Sequence, residues 1–254
     1  MPRSRQRPLA GPSAPIAFRA ATVRERSDSL IAELEAHANP ANVAGMARYG
    51  ISTAQTLGVP IPVLRGMARR AGKDHRLAVQ LWASGIHEAR ILATMVAEPE
   101  RLTDAQMDRW AGDFDSWDVC DQACQNLFRY TPLANGKVVQ WSSASGEFVR
   151  RAGFALMAAL AAQRNQIPDA RFEAFLKLIA AAATDERNMV KKAANWALRQ
   201  IGKRNPRLLK KAIAAAERID RLASRAAHWI AKDALRELRS RPAGKNHERK
   251  RLPG

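Results

Sequence analysis

Apolar positions recur three and four residues apart over most of the chain, which predicts one amphipathic helix after another. Short breaks rich in Pro, Gly, Asn or Asp separate them. The segments drawn this way cover residues 25–38, 42–49, 60–71, 74–83, 87–97, 104–111 and 116–129, then 137–142, 146–162, 168–182, 188–202, 206–216 and 220–238. Ser52, Thr103, Ser145, Asp169 and Asp185 stand near expected starts, and the Asn205-Pro206 pair opens a helix with proline in its first turn. Residues 1–24 and 239–254 lack any apolar period, so they read as a disordered basic arm and tail around a folded part at 25–238.

Five of the helical segments resemble one another. HEARILATMV, the helix around DSWDVCDQAC, FVRRAGFALM, MVKKAANWAL and ASRAAHWIAK each set a charged residue before small residues and an apolar stripe. The equivalent positions are Arg90, Asp121, Arg151, Lys192 and Arg225, separated by 31, 30, 41 and 33 residues. A period of roughly 30–45 residues built from paired helices predicts an all-α, HEAT-like helical-repeat solenoid, in which each unit buries its apolar face on its neighbours. Such an array curves, and equivalent positions of its inner helices line one concave basic face. The competing explanation is that Ala-rich helices look alike by composition alone.

Composition agrees with the all-α reading: Ala, Leu, Arg and Lys dominate, and aromatics make up 6%. Charge adds a partner. Forty-two basic residues against 24 acidic ones give a formal net charge of +18, which attracts polyanions, nucleic acid first among them. Basic tails contribute, but basic residues also recur inside the helical segments. The Arg-rich start of the chain, without an acid before Glu25, would also suit a transit peptide; four prolines in its first fifteen residues favour the arm. Cys120 and Cys124, four apart on one helix, match neither a zinc pattern nor a disulfide framework, so a reduced cytoplasmic setting is expected. No apolar run approaches the ~18 residues of a membrane span.

Asp121 breaks the basic row. A carboxylate facing phosphates weakens binding unless it has another use. It could stabilise the positive charge that develops on a deoxyribose as its glycosidic bond breaks, or orient the attacking water. A salt bridge to a neighbouring Arg such as Arg151, or a merely exposed charge, is the plainer reading of the spacing alone. Trp117 lies four residues before Asp121 and Trp196 four after Lys192, which places each ring on the face of its charged residue, and Trp229 stands likewise to Arg225. Rings beside cations suit nucleic acid. Trp82, Trp110 and Trp141 have no such partner and are expected in the core. Gly-rich phosphate loops, HExxH and Cys-x-x-Cys are absent, and His37, His75, His87, His228 and His247 form no ligand cluster, so neither a metal nor another cofactor is expected. No lysine is set apart as a Schiff-base nucleophile.

At these residues the sequence resembles the AlkD-type DNA alkylation repair glycosylases, a bacterial HEAT-like repeat family. The resemblance runs from about residue 39 to 232 and is carried by GMARYG, LGVPIPVLRGMAR, LW-x-S-x-x-HEAR, SWDVCD, FVRRA and KKAANWALRQIGKRNP. It implies a monofunctional N-glycosylase that releases cationic N3- and N7-alkylpurines from duplex DNA without drawing the base into a pocket. Trp117, Asp121, Arg151 and Trp196 match the family's catalytic residues, Tyr49 its site-bordering Tyr, and Arg199 a residue that touches the DNA backbone. Arg90, Lys192 and Arg225 complete the expected DNA-binding set. The segment between Asp121 and Glu147 is compressed relative to the family pattern. A monomer bound to DNA in the bacterial nucleoid is expected. The alternative is a non-catalytic repeat scaffold that binds nucleic acid through the same basic face.

Overall fold

The computed structural model describes residues 21–163 and 167–240. The expected arm and tail lie outside the described residues except at their inner ends, 21–24 and 239–240. Thirteen α-helices occur among the described residues: α1 Val23–Ala36, α2 Pro40–Ala47, α3 Ile61–Ala71, α4 His75–Ala83, α5 His87–Val96, α6 Asp104–Gly112, α7 Trp117–Asn126, α8 Ala134–Ser142, α9 Glu147–Ala162, α10 Asp169–Ala181, α11 Asn188–Gly202, α12 Pro206–Asp220 and α13 Arg225–Arg239. Each segment expected from the apolar spacing is present.

The boundaries differ where capping chemistry decides them. Thr22 and Glu25 form a capping box that starts α1 at Val23, so Val23 and Arg24 belong to the helix and not to the arm. Thr103 and Asn205 cap α6 and α12 by accepting from the Gln106 and Leu208 amides. Ser145 and Asp185 instead precede the N-cap residues Gly146 and Arg187, and Ser52 lies in the α2–α3 loop. The segment expected at 220–238 begins only at Arg225, because α12 runs on to Asp220 and Ser224 caps α13. Residues 116–129 divide into α7 and a 3-10 turn, Phe128–Tyr130.

Helices α3, α5, α7, α9, α11 and α13 form one row, each packed on the next. Partner helices cover them from the other side: α4 on α5, α8 on α9, α10 on α11 and α12 on α13. This is the all-α, HEAT-like stack that the repeat predicts. Helix α9 is its most enclosed member, buried continuously from Arg151 to Ala161. Its small residues allow close approach: the Cys120 and Cys124 thiols lie 3.8 and 3.6 Å from the Phe148 and Ala152 carbonyls. Both cysteines are free thiols. Trp82, Trp110 and Trp141 are buried as expected, with the first two stacked at 4.1 Å between ring centroids. No described helix is long and apolar enough to cross a membrane.

Lateral pairing fixes the register of the row. His87–Asp118 and Thr94–Asn126 link α5 to α7, and Asp121–Arg151 links α7 to α9. Between α11 and α13 the pairs Asn195–Asp233, Arg199–Glu237 and Lys191–Trp229 share one offset of 38 residues. Arg225 is therefore not level with Lys192, as the 33-residue spacing suggested. It stands at the first position of α13, more than a turn earlier along the row.

Candidate active site

Four separate segments converge where the middle of the row begins. Asp121, on the fifth position of α7, and Arg151, on the fifth of α9, face each other across the helix interface. The Arg151 Nε and Nη2 groups donate to Asp121 Oδ1 and Oδ2 at 3.0 and 2.8 Å, a bidentate pair. The remaining Nη1 donates to the Met189 carbonyl at the start of α11, 2.8 Å away. Arg151 therefore lies within reach of Asp121, as expected of a salt bridge between them. Asp121 and Arg151 are 8% and 6% exposed.

Trp117 opens α7 one turn before Asp121, and the Arg151 guanidinium lies 5.7 Å from its ring centroid. Its indole N–H donates to the Tyr49 carbonyl at 3.0 Å. Tyr49 therefore borders the site, but its backbone oxygen makes the contact, while the ring is 73% exposed. The following Gly50 has φ 72° and would bring a Cβ to 3.1 Å of Met189 Cε, so glycine fits here on both counts. Ser116 Oγ accepts from the Ser52 amide, a second link between this loop and α7.

Burial dominates the Asp121 electrostatics. Removal from water pushes its carboxyl above the ordinary aspartate value, against the pull of the Arg151 guanidinium, and Asp118 pushes the same way as burial. Burial opposes the Arg151 cation too, but Asp121 holds its pKa above the ordinary arginine value. Next door, His87 Nε2 lies 2.9 Å from Asp118 Oδ2. Burial lowers the His87 pKa, yet Asp118, Glu88 and Asp115 together raise it above the ordinary value.

The other expected residues divide. Trp196 lies two turns beyond Met189 on α11, half-buried against the core, and has no hydrogen bond or ring contact with Trp117, Asp121 or Arg151. Arg90 is engaged within the protein, donating to the Asp113 carbonyl at 3.1 Å and lying 5.7 Å from the Trp82 ring centroid. Arg199 is also engaged, with Glu237 at 2.8 Å and Asp233 at 3.6 Å. Lys192 and Arg225 are exposed and have no ion-pair partner among the described residues. Trp229 is paired with Lys191, 5.7 Å from its centroid, and not with Arg225.

Periodicity could not find the loop that closes the site. Glu88, 1% exposed, accepts from the backbone N–H groups of Leu57, Gly58 and Val59 at 2.9, 2.6 and 3.3 Å. This carboxylate ties the α2–α3 loop, and with it Tyr49, to α5. The signal available in HEAR was an acid on an otherwise apolar face. Among the described residues no cluster of three His, Cys, Asp or Glu could hold a metal ion.

Residues 30–238 match the family model described as DNA alkylation repair enzyme. The chain belongs to that family. No curated protein matches the sequence. A solved structure similar to this family member is described as belonging to a new family of proteins related to the HEAT-like repeat DNA glycosylases, with affinity for branched DNA structures. It superposes with a TM-score of 0.70 at 19% identity, covering 83% of this chain and 94% of that one. At that identity it establishes the shared HEAT-like fold.

Proposed function

We propose that this DNA alkylation repair family member is a monofunctional N-glycosylase that releases cationic N3- and N7-alkylpurines from duplex DNA. The reading is supported above all by the Trp117 ring and the Asp121 carboxylate, one turn apart on α7, with Arg151 fixing both.

A cationic purine leaves as a neutral base once the electron pair of its glycosidic bond returns to the ring, so little general acid is needed. The deoxyribose becomes oxocarbenium-like as that bond breaks. Asp121 supplies the opposing negative charge, and the electron-rich face of Trp117, one turn away on α7, adds to it. Water then bonds to the anomeric carbon and loses its proton. Arg151, bound to both Asp121 oxygens and to the Met189 carbonyl, holds the carboxylate in one orientation. The net charge of +18 and the exposed cations Lys192 and Arg225 serve the phosphate backbone.

A second reading is a DNA-binding scaffold without base excision. The closure of both Asp121 oxygens by Arg151 favours it, because a carboxylate so occupied also serves as a plain structural pair. Incubation with duplex DNA carrying N7-methylguanine and N3-methyladenine decides between them. Free methylated base in solution supports the glycosylase; DNA binding without release supports the scaffold.

A further inference from the structure

One cleft lies outside the site described above. It measures about 280 Å³ and is lined by Arg65 and Arg69 of α3, Met95 of α5, Gln125 and Asn126 of α7, and Arg129 and Tyr130 of the 3-10 turn. Gln125 stands one turn beyond Asp121 on α7, and no residue of the candidate active site lines the cleft.

Its charge is uncompensated. Arg70, next along α3, is taken by Glu33, and Arg26 of α1 by Asp74. Arg65 and Arg69, four apart on α3, are exposed and have no acidic partner among the described residues. Arg129 contacts no carboxylate; its guanidinium lies 4.7 Å from the Tyr130 ring centroid and donates to the Tyr130 hydroxyl at 2.5 Å. A cation just past α7 also complements the helix dipole, which accounts for Arg129 but not for Arg65 and Arg69. No acidic residue lines the cleft.

The second component is aromatic. Tyr130 is 49% exposed, one of three exposed aromatic residues among the described residues with Tyr49 and Trp229. The Gln125 amide at the cleft wall can meet a base edge. A duplex backbone needs only the cations. Cations together with an open ring and an amide suit an unpaired nucleotide, whose base has a free face to stack.

We propose that this cleft binds unpaired DNA nucleotides, Arg65, Arg69 and Arg129 holding phosphate and Tyr130 stacking a base. The protein then engages duplex at Trp117–Asp121–Arg151 and single strand at the cleft.

The test is fluorescence anisotropy with a labelled single-stranded oligothymidylate and a blunt duplex of equal length. Tyr130→Ala weakens the single strand about tenfold and the duplex less than twofold. Tyr130→Phe, which keeps the ring, binds as the wild type does. Arg65→Ala with Arg69→Ala lowers the slope of log affinity against log salt for the single strand by about 1.4, two phosphate contacts' worth. Methylated-base release from blunt duplex is unchanged in Tyr130→Ala, which keeps this proposal separate from the glycosylase reading. Single-strand affinity within twofold of wild type in Tyr130→Ala, or an equal loss on duplex, overturns it. So does an unchanged salt slope in the arginine variant.

Discussion

Arg151 directs three of its donors to three acceptors on two residues: both oxygens of Asp121 and the Met189 carbonyl. The pair crosses the α7–α9 interface, and the Met189 bond ties it to α11, so three helices of the row share one charged node. Such a node does little for net stability, because desolvating both charges offsets their attraction. It does fix where the carboxylate points. Asp121→Asn keeps the shape and removes the charge, and is expected to lower methylated-base release about 10²–10³-fold with duplex affinity within twofold. Arg151→Met leaves a buried, unpaired carboxylate and is expected to cost about 3–5 kcal/mol in urea unfolding. The double variant Asp121→Leu with Arg151→Met recovers much of that loss, as measured by a double-mutant cycle.

The acid limb of activity follows from the same carboxylate. In the proposed mechanism release requires Asp121 ionised, so base release is expected to fall as pH drops through its pKa. Burial sets that pKa above the ordinary aspartate value, and the like charge of Asp118 adds to the shift while Arg151 opposes it. The pH profile of base release is expected to inflect above the ordinary aspartate range. Asp118→Asn moves the inflection to lower pH, and an unmoved inflection would show that the limb belongs to another group.

The fold and the core of this site were legible for different reasons. Thirteen helices, and the row carrying Arg90, Asp121, Arg151 and Lys192, follow from apolar spacing, because each helix must bury one stripe. Trp117 and Asp121 are adjacent by helical period alone, and the Asp121–Arg151 pair follows once their helices are neighbours. Register at the end of the row was not legible. The α12 helix extends to Asp220 and Ser224 sets the start of α13, so Arg225 is displaced relative to Lys192. Nor could spacing reveal that Arg90 and Arg199 are engaged within the protein, since their partners Asp113 and Glu237 come from other elements. The contact of Tyr49 runs through a carbonyl, which no side-chain pattern reports.

His87 makes stability depend on pH in a defined direction. Its pKa is raised in the folded protein: burial works against the proton, but Asp118, Glu88 and Asp115 outweigh it. The folded state therefore holds that proton more tightly than the unfolded chain. The stabilisation is complete below the unfolded value, about pH 6.5, and is lost as pH rises through the folded value. Asp118→Asn is expected to flatten the dependence of melting temperature on pH across that window. An unchanged slope would assign it to other groups.

Glu88 acts on the site at one remove. Its carboxylate accepts three backbone N–H bonds from residues 57–59, and those bonds anchor the loop that carries Tyr49 to Trp117. Glu88→Gln replaces one acceptor oxygen by a donor facing an N–H group, an arrangement that costs about 1–3 kcal/mol when buried. Amide hydrogen exchange at Leu57, Gly58 and Val59 is expected to accelerate. Base release falls with it, while the acid inflection of the pH profile stays where Asp121 sets it. A moved inflection would contradict an effect carried only through the loop.

The approach of α8 to α9 places a sharper constraint on the same geometry. Gly153 stands two residues beyond Arg151, and a Cβ there would lie 2.5 Å from the Ser142 amide nitrogen and 2.9 Å from its Cα. Both are backbone atoms at the end of α8, so no side chain can rotate away and the helices must separate. Gly153→Ala is expected to destabilise the protein by about 1–3 kcal/mol, the usual result of overpacking, although alanine is the better helix former. Gly136, inside α8, has open space within 4 Å of the position that an added methyl would take. Gly136→Ala is therefore expected to stabilise by about 0.4–1 kcal/mol. Opposite signs in parallel urea titrations would place the effect in the helix contact and not in glycine chemistry. Because α9 carries Arg151, Gly153→Ala also lowers base release per folded molecule, whereas Gly136→Ala leaves it unchanged.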